Sequence, residues 1–494
     1  MFKQRLKEIA PDTNQGRLFL RIAGALVALA AGCHLIMGAG FASVLFCAAA
    51  IILSLLPLAY LGPLNIAAVL VALVGFRYVG FPLFAKLAMG QALDTYLLDP
   101  TGAFGVVLVG VLGYGIALII SSRLPLGRPL LAPVSNHVTL GRISFLAAVV
   151  GITANMAVAF RSGDVYTGIT VASFFVPFLH LALIAAIART LVASNQKRSV
   201  DGWVIVVLIA EIAFVMSRNS RMALLEIVLC FVVTVSAFKY KIRWRQFFLI
   251  TTFITVMVVF ITPVFLYVRG FRGDLSWTGR IGTTIEAFGK WPDAFSEFLS
   301  RRDTQDRMGW FLNYYGIPQN TFERMSLINH IDVIKASLGS RGEIGVEDLL
   351  TGVERALPRA LAPNKPRGYS QGGWLYYHIG VHSVMGGYAT VPLIGSGYAA
   401  FGRKGSFFYP LILGMLWLLV VRKISGFDLR GNIWAIYLLL RVHNQFVEGS
   451  SDSYLVHILR VMPQDFILLW LVDLLGTGRF PFRLRNRGSR IYDK

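Results

Sequence analysis

Charged side chains are scarce in this chain of 494 residues, and their scarcity argues against a soluble fold. Only 15% of the residues are charged, whereas a soluble domain usually carries about 25%. Hydrophobic residues make up 55% and the mean hydropathy is +0.63, so polar groups are too few to cover a water-exposed domain. Apolar runs of roughly 20 residues, the length that crosses a bilayer, recur along the sequence. The composition predicts an all-α, polytopic integral membrane protein.

Cysteine is also scarce, and common cofactor motifs are missing. Cys33, Cys47 and Cys230 lie in apolar runs without C-x-x-C spacing, which argues against a disulfide framework or a thiolate metal site. The sequence contains no P-loop, no dinucleotide fingerprint and no clustered metal ligands, so we expect neither cofactor nor metal. The formal net charge of +21 arises from basic residues between apolar runs. A nucleic-acid partner is not needed to explain it.

About twelve apolar runs are predicted to be transmembrane helices. The run from Leu18 to Gly38 is longer than a signal-peptide core, so we interpret it as a retained first helix. A run at 389–401 is too short and too rich in glycine to span, and is expected to be a re-entrant or interfacial piece. The predicted spans are 18–38, 41–60, 62–82, 103–121, 143–161, 169–193, 203–216, 222–238, 247–268, 407–421, 433–447 and 454–475.

Basic residues are distributed unevenly between the two sides that twelve spans define. The short loops of one side offer only Lys86, Arg218 and Arg221. Because cytoplasmic loops carry an excess of Lys and Arg, the other side, with both termini, is predicted to be cytoplasmic. Its basic residues are Lys3, Arg5, Lys7, Arg17, Arg123, Arg128, Arg142, Lys197, Arg198, Lys239, Lys241, Arg243, Arg245, Arg422, Lys423, Arg430, Arg479, Arg483, Arg485, Arg487, Arg490 and Lys494.

This orientation makes residues 269–406 one large extracytoplasmic loop of 138 residues. Loops longer than about 15 residues are uncommon and usually functional. Segments 283–299 and 321–338 are predicted to be amphipathic helices within it. The chain is therefore divided into a bundle of about nine helices (1–268), the loop domain (269–406), and about three helices with a basic cytoplasmic tail (407–494).

Ionisable residues inside the predicted spans suggest a function, because charge is costly in hydrocarbon. The topology places arginines at the outer leaflet with few carboxylates to neutralise them, and guanidinium groups bind phosphate through paired hydrogen bonds. A lipid-linked diphosphate fits such a site. The residues at this level are Arg77, Arg218, Arg221, Arg441, Arg460, Glu211 and His443, with His457 and Gln464 on the helix face of Arg460.

Two other interpretations of these charges remain open. The arginines could extend to the interface, or could pair with Glu211, Asp465 and helix ends. A proton-coupled transporter is also conceivable, and it would favour buried carboxylates near the bilayer midplane.

Three stretches carry a family resemblance. They are Ser217-Arg-Asn-Ser-Arg221, opening a helix; Pro358-Arg359 followed by Lys365-Pro366 in the loop; and Gly395-Ser-Gly-Tyr398-Ala-Ala-Phe401-Gly402-Arg-Lys-Gly405. In this order, beside a large outer loop, they resemble the Wzy-type polymerases, the O-antigen or oligosaccharide repeat-unit polymerases. The resemblance covers most of the chain from about residue 200 onward.

The resemblance implies an integral-membrane glycosyltransferase at the periplasmic face of the bacterial inner membrane. Such an enzyme polymerises undecaprenyl-diphosphate-linked oligosaccharide repeat units into O-antigen or exopolysaccharide, using neither nucleotide sugar nor metal. The implied partners are the lipid-linked oligosaccharide, membrane lipid, a chain-length regulator and a flippase. The alternatives are an O-antigen ligase that transfers polymer to lipid A core, and a transporter or flippase of the lipid-linked sugar.

Glycosyl transfer from a diphosphate needs cations for the leaving group and a base for the attacking hydroxyl. Arg269 and Arg272 could instead be a solvated flank of the ninth span, and Arg359 could cap a helix. The residues predicted to bind the diphosphate are Arg218, Arg221, Arg269, Arg272, Arg359, Lys365, Arg441 and Arg460.

The predicted bases are His378, His382, Glu354 and Glu323. The two histidines, four residues apart, could also bind zinc on one helix face, but Gly380 between them and the missing third ligand argue against this. Three aromatic residues near them could stack on sugars or simply pack the loop: Trp374, Tyr376 and Tyr377.

Replacing the predicted phosphate-binding arginines should stop polymer formation. We expect Arg221→Ala and Arg359→Ala each to abolish polymer at normal membrane levels of the protein. Arg→Lys at either position should also impair it, because lysine cannot make the paired contact. Surface polysaccharide profiles and immunoblots of membranes measure both quantities, and normal chain length in both alanine variants would remove the phosphate-site assignment.

Overall fold

The chain is helical throughout the part that the computed structural model describes. The described residues are 13–159, 171–218, 221–269, 277–296, 314–315, 325–357, 373–380 and 391–478. Within these ranges the only β-bridge joins Asn65 to Asp428. The coarse prediction of an all-α protein is therefore confirmed for the described residues.

The helices are numbered here in chain order. Some begin at a side-chain cap: Asn65 and Asp99 each accept a hydrogen bond from a backbone amide of the first turn. The helices are α1 (Thr13–Ile36), α2 (Phe41–Leu61), α3 (Ile66–Ala88), α4 (Pro100–Arg123), α5 (His137–Ala159), α6 (Phe178–Ala193), α7 (Gly202–Arg218), α8 (Arg221–Ala237), α9 (244–269), α10 (Trp277–Gly289), α11 (Ile328–Arg341), α12 (Glu347–Ala356), α13 (Gly373–His378), α14 (Leu393–Ser425), α15 (Ile433–Glu448) and α16 (Ser451–Thr477).

Eight helical segments in the described part are long and apolar enough to cross a membrane. They are α1 to α5, α14, α16, and α6 together with the short helix Val171–Phe175 before it. Two shorter apolar helices, α7 and α8, occupy predicted spans, and α9 and α15 coincide with two more. A polytopic membrane protein is confirmed. The count of twelve spans, the bacterial inner membrane and the cytoplasmic termini stay predictions.

An aromatic cluster lies where α4, α14, α15 and α16 meet. Trp417 is fully buried, and its ring centroid lies 4.5 Å from that of Tyr454 and 6.0 Å from that of Phe446. The hydroxyl oxygens of Tyr114 and Tyr454 are 2.8 Å apart. Because hydrocarbon supplies no hydrogen-bond partner, these hydroxyls are satisfied inside the bundle: Tyr454 donates to the Phe446 carbonyl and accepts from Tyr114.

The glycine-rich run predicted to be re-entrant or interfacial forms a helical hairpin with the following span. The helix breaks at Phe401 and Gly402, and Gly402 has φ +56°. A Cβ on Gly405 would lie 1.8 Å from the carbonyl oxygen of Gly397, so residues 393–400 fold back against 403–425. The span therefore starts close to its predicted start at 407. The spaced glycines of the third motif build this turn.

The loop between α9 and α14 is described in part, and its helices gather at one end of the bundle. The predicted amphipathic helices overlap α10 and α11. Asp332 of α11 contacts the start of α4, whereas the C-terminal end of α4 contacts the end of α14 through Arg422. We call these the loop end and the far end.

The hairpin makes a stability prediction. Gly405→Ala should destabilise the protein by about 1–3 kcal/mol, because the added methyl group overlaps backbone that cannot move away easily. Thermal unfolding in detergent measures the loss. Gly115→Ala is the control, because nothing lies within 4 Å of a Cβ there, and it should be neutral or stabilising. Equal stability of the two variants would contradict the tight hairpin.

Candidate functional site at the loop end

Helix α11 is held on the start of α4 by polar contacts. The Asp332 carboxylate accepts hydrogen bonds from the backbone amides of Leu98 (2.6 Å) and Asp99 (2.8 Å). Burial raises the pKa of Asp332 above its usual value. Lys335 forms an ion pair with Asp99 and lowers the pKa of that carboxyl. These contacts fix the loop over the opening turn of a membrane helix.

Arg77 is a second attachment of the loop. It lies in a π-helical turn of α3, Phe76–Gly80, a feature that is frequent at functional sites. Its Nη2 lies 2.6 Å from Oε1 of Glu448, and its Nε donates to the carbonyl of Met325 at 3.0 Å. The guanidinium therefore joins α3, α15 and the segment before α11.

Helix α12 packs directly on the start of α16. Its buried face consists of Asp348, Gly352 and Ala356, and a Cβ on Gly352 would lie 2.6 Å from the Cα of Asp452. Glycine thus lets the two backbones touch. The contact brings the carboxylates of Asp348 and Asp452 into one buried cluster, which we call the loop-end site.

The two carboxylates of the loop-end site differ in their partners. Asp452 forms an ion pair with Arg355 of α12 and accepts a hydrogen bond from the Ser450 hydroxyl. Asp348 accepts from the hydroxyl groups of Ser451 and of Tyr409, the latter at 3.3 Å. Among the described residues no cation pairs with Asp348. The charge of Asp452 is therefore balanced by Arg355, whereas the Asp348 carboxylate has no counter-charge among the described residues and can accept a proton.

The environment of Asp348 raises the pKa of its carboxyl group toward neutral pH. The residue is 4% exposed. Burial, with a smaller contribution from the charge of Asp452, raises the pKa of the Asp348 carboxyl to about 6. A base works best when its pKa lies near the working pH. Asp348 is charged at pH 7 and can still accept a proton.

A small cavity opens beside the two carboxylates. Its volume is about 10 Å³, close to the space that one water molecule needs. Trp374 and Leu375 of α13 form part of its wall, together with polar groups of α12, of α14 and of the α15–α16 turn: Asp348, Thr351, Ser396, Ser450 and Asp452. The cavity matches a single hydroxyl group next to a buried carboxylate, with an aromatic ring beside it.

The predicted bases lie elsewhere or outside the described residues. The His378 ring packs against Trp374 with centroids 4.0 Å apart and ring planes tilted by 30°, and its Nδ1 donates to the Trp374 carbonyl at 2.8 Å. Glu354 is exposed on α12. His382 and Glu323 lie outside the described residues. No cluster of three His, Cys, Asp or Glu side chains in the described part is placed to hold a metal.

The predicted phosphate-binding residues are described only in part. The Nε of Arg441 donates to Asp465 at 3.2 Å, and the Arg460 guanidinium carbon lies 5.9 Å from the centre of the Phe174 ring. Three others mark helix ends, and nothing is described of their side chains: Arg218, Arg221 and Arg269. The remaining ones lie outside the described residues: Arg272, Arg359 and Lys365.

Two arginines of the predicted outer-leaflet group have carboxylate partners in the structure. Arg77 pairs with Glu448 and Arg441 with Asp465, so the expectation of few neutralising carboxylates does not hold for these two. The sequence alternative that arginines pair with Asp465 holds for Arg441. The expected common face of His457, Arg460 and Gln464 assumed a regular helix, whereas residues 457–461 form a π-helical turn.

A second polar network lies between α6, α7, α8 and α15. His180 contacts Glu211 through Nδ1 and Glu226 through Nε2, the latter at 3.3 Å. Asn444 donates to the second oxygen of Glu226 at 3.4 Å. Glu211 has a side chain only 1% exposed. The network places ionisable groups well inside the helix bundle.

Asp348 is not among the bases predicted from the sequence, which were histidines and other acidic residues of the loop. One signal was present. Asp348, Gly352 and Ala356 follow each other at four-residue spacing, which on a helix gives one face of small side chains carrying a carboxylate. A small-residue face predicts close packing against a neighbouring helix, and therefore a buried acid.

We expect Asp348→Asn to lower the activity of the protein by a factor of 10² or more. The amide keeps the shape of the carboxylate but cannot take a proton. Glu354→Gln, on the exposed side of the same helix, is the matched control. Wild-type activity should rise with pH through about 6, because only the deprotonated carboxyl accepts a proton. Rates of the purified protein between pH 5 and 8 measure this.

Retained activity in Asp348→Asn, or a pH profile unaffected by Asp348→Glu, would contradict the assignment. Loss in Glu354→Gln with retention in Asp348→Asn would move the base to Glu354.

Comparison with known proteins adds no family to this geometry. No family model, no curated protein and no solved structure matches the chain. The resemblance to Wzy-type polymerases therefore stays a prediction, and the function has to be argued from the residues.

Proposed function

We propose that this protein is an integral-membrane glycosyltransferase that polymerises lipid-diphosphate-linked oligosaccharide repeat units at the loop end. A hydroxyl of the acceptor unit attacks the anomeric carbon of the donor sugar. The new glycosidic bond forms as the bond to the diphosphate breaks, and the lipid diphosphate leaves. The hydroxyl proton passes to a carboxylate of the protein. The acceptor distinguishes this enzyme from a ligase, and the donor is the same for both.

One observation carries the proposal: the Asp348 carboxylate faces a hydroxyl-sized cavity where the loop meets the membrane helices. This position suits a substrate with a lipid anchor and a water-soluble glycan, because the anchor needs the bundle and the glycan needs the loop. In the proposal Asp348 takes the proton. Asp452, held by Arg355, keeps the two helices in register.

The aromatic wall supports a sugar ligand. Trp374 lines the cavity and packs against His378, and tryptophan offers a flat apolar face with a polar edge. We assign Trp374 the contact with the acceptor sugar. Tyr376 is buried, and its hydroxyl oxygen lies at hydrogen-bond distance, 2.7 Å, from Nδ1 of His330. We therefore assign Tyr376 to packing within the loop, one of the two roles considered from the sequence.

The leaving diphosphate needs cations. Arg77 and Arg441 have carboxylate partners, which makes them positioning groups in this proposal. The other residues of the sequence prediction keep the diphosphate-binding role: Arg218, Arg221, Arg269, Arg272, Arg359, Lys365 and Arg460. Cations set in place before the reaction stabilise the developing charge without rearrangement.

A second candidate function is transport of the lipid-linked sugar coupled to protons. The network of His180, Glu211 and Glu226 favours it, because ionisable residues inside a bundle often form proton relays. The cavity beside Asp348 does not require this function, so we place it second.

Purified protein given lipid-diphosphate-linked repeat units in detergent should produce a ladder of longer lipid-linked glycans. Asp348→Asn should give no ladder, and Glu354→Gln should give a normal one. Gel or mass analysis of the released glycans measures chain length, and no nucleotide sugar is added.

The other outcomes are separable when the same purified protein is reconstituted into vesicles. Movement of the lipid-linked units across vesicles without lengthening, lost in Glu211→Gln, would overturn the polymerase in favour of transport. Transfer only when a lipid A core acceptor is present would identify a ligase.

A further inference from the structure

A groove at the far end of the bundle differs in character from the loop-end site. It has a volume of about 600 Å³ and lies between the start of α5, the end of α6 and the end of α16. These three helices belong to candidate membrane spans. The groove therefore opens where membrane helices reach the bilayer surface, the level of lipid head groups.

Close helix packing builds the base of the groove. A Cβ on Gly476 would lie 2.5 Å from Cγ1 of Ile143, which brings α16 against α5. A Cβ on Gly141 would lie 3.2 Å from Cδ of Arg189, so the arginine stem of α6 rests on the bare backbone of α5. Small residues thus hold a guanidinium in the floor of the groove.

The walls combine apolar surface with positive charge. Phe145 and Leu475 are 57% and 55% exposed, and Leu146 lines the same groove. Arg142 is exposed on α5 one turn before Phe145, and His137 begins that helix. Arg189 pairs with Asp201, so one carboxylate offsets one of the two arginines. The net charge of the lining is positive.

This combination of charge and apolar surface selects the occupant. The chain's own tail follows Leu475 in sequence, but it carries Arg479, Arg483 and Arg485, and cations do not favour a cationic groove. A phosphate diester with acyl chains satisfies both parts of the lining, since its head group meets Arg142 and its chains meet Phe145 and Leu475. Basic pockets between membrane helices bind anionic lipid head groups in this way.

We propose that the far-end groove binds one anionic phospholipid, with Arg142 holding the phosphate and the apolar wall of α5 and α16 holding an acyl chain. The proposal is independent of the reaction at the loop end.

Native mass spectrometry of the delipidated full chain in detergent tests the site. With phosphatidylglycerol we expect one retained lipid per chain, bound about tenfold more tightly than phosphatidylethanolamine, because the second lipid has the same phosphate but also an ammonium group that the positive lining repels. Arg142→Ala should remove this preference. Arg123→Ala, an exposed arginine at the same end and outside the groove lining, should keep it.

Three results would overturn the proposal. Equal affinity for the two lipids would show that charge does not select the ligand. Equal loss in Arg123→Ala and Arg142→Ala would show general attraction of a basic surface. Binding of water-soluble glycerol phosphate as tight as that of phosphatidylglycerol would show a phosphate site that needs no lipid.

Discussion

Buried charge in this chain is tolerated where a second part of the chain supplies its counter-charge or a hydrogen bond. The ion pair of Arg355 with Asp452 joins a loop helix to a membrane helix, and that of Arg77 with Glu448 joins α3 to α15. Removing one member of a buried pair typically costs about 3–5 kcal/mol, because the other charge is left without a partner. Arg355 and Asp452 therefore both contribute to holding α12 on α16. The geometry around Asp348 depends on this attachment.

The difference between Asp348 and Asp452 follows from the same constraint. Both are buried on facing helices, and the nearby charge of Asp452 adds to the effect of burial in raising the pKa of Asp348. Arg355 gives Asp452 a counter-charge, whereas hydroxyl groups of Ser451 and Tyr409 give Asp348 hydrogen bonds without neutralising it. A carboxylate in this position exchanges its proton near neutrality and has its orientation fixed. A lone exposed acid such as Glu354 is solvated by water, which gives it no fixed direction.

How far the sequence could predict this fold depends on the range of the signal. Apolar runs are local, so the sequence predicts where the candidate spans lie, although the third extends to Ala88 beyond its predicted end at 82 and the fifth begins at His137 before its predicted start at 143. The sequence predicts that the run before Gly402 is too short for a span. It does not predict the hairpin itself, because the hairpin depends on contact between Gly397 and Gly405. The sequence could not predict that Arg77 pairs with Glu448, because Glu448 lies far along the chain and belongs to another helix. Asp465 was closer to Arg441 and was named as a possible partner.

The two ends of the bundle handle charge differently, and this difference bears on function. At the loop-end site, Arg355 pairs with the buried Asp452, hydroxyl groups bond to the buried Asp348, and the cavity admits one small polar group. At the far end, arginines border an open groove with apolar walls. Enclosure strengthens electrostatic interactions and suits proton transfer, whereas an open boundary groove exchanges its occupant with the bilayer. We therefore place the proposed chemistry at the loop end and the proposed lipid binding at the far end. The internal network of His180, Glu211 and Glu226 fits neither task directly, and its burial between four helices is the reason that transport stays a competing explanation.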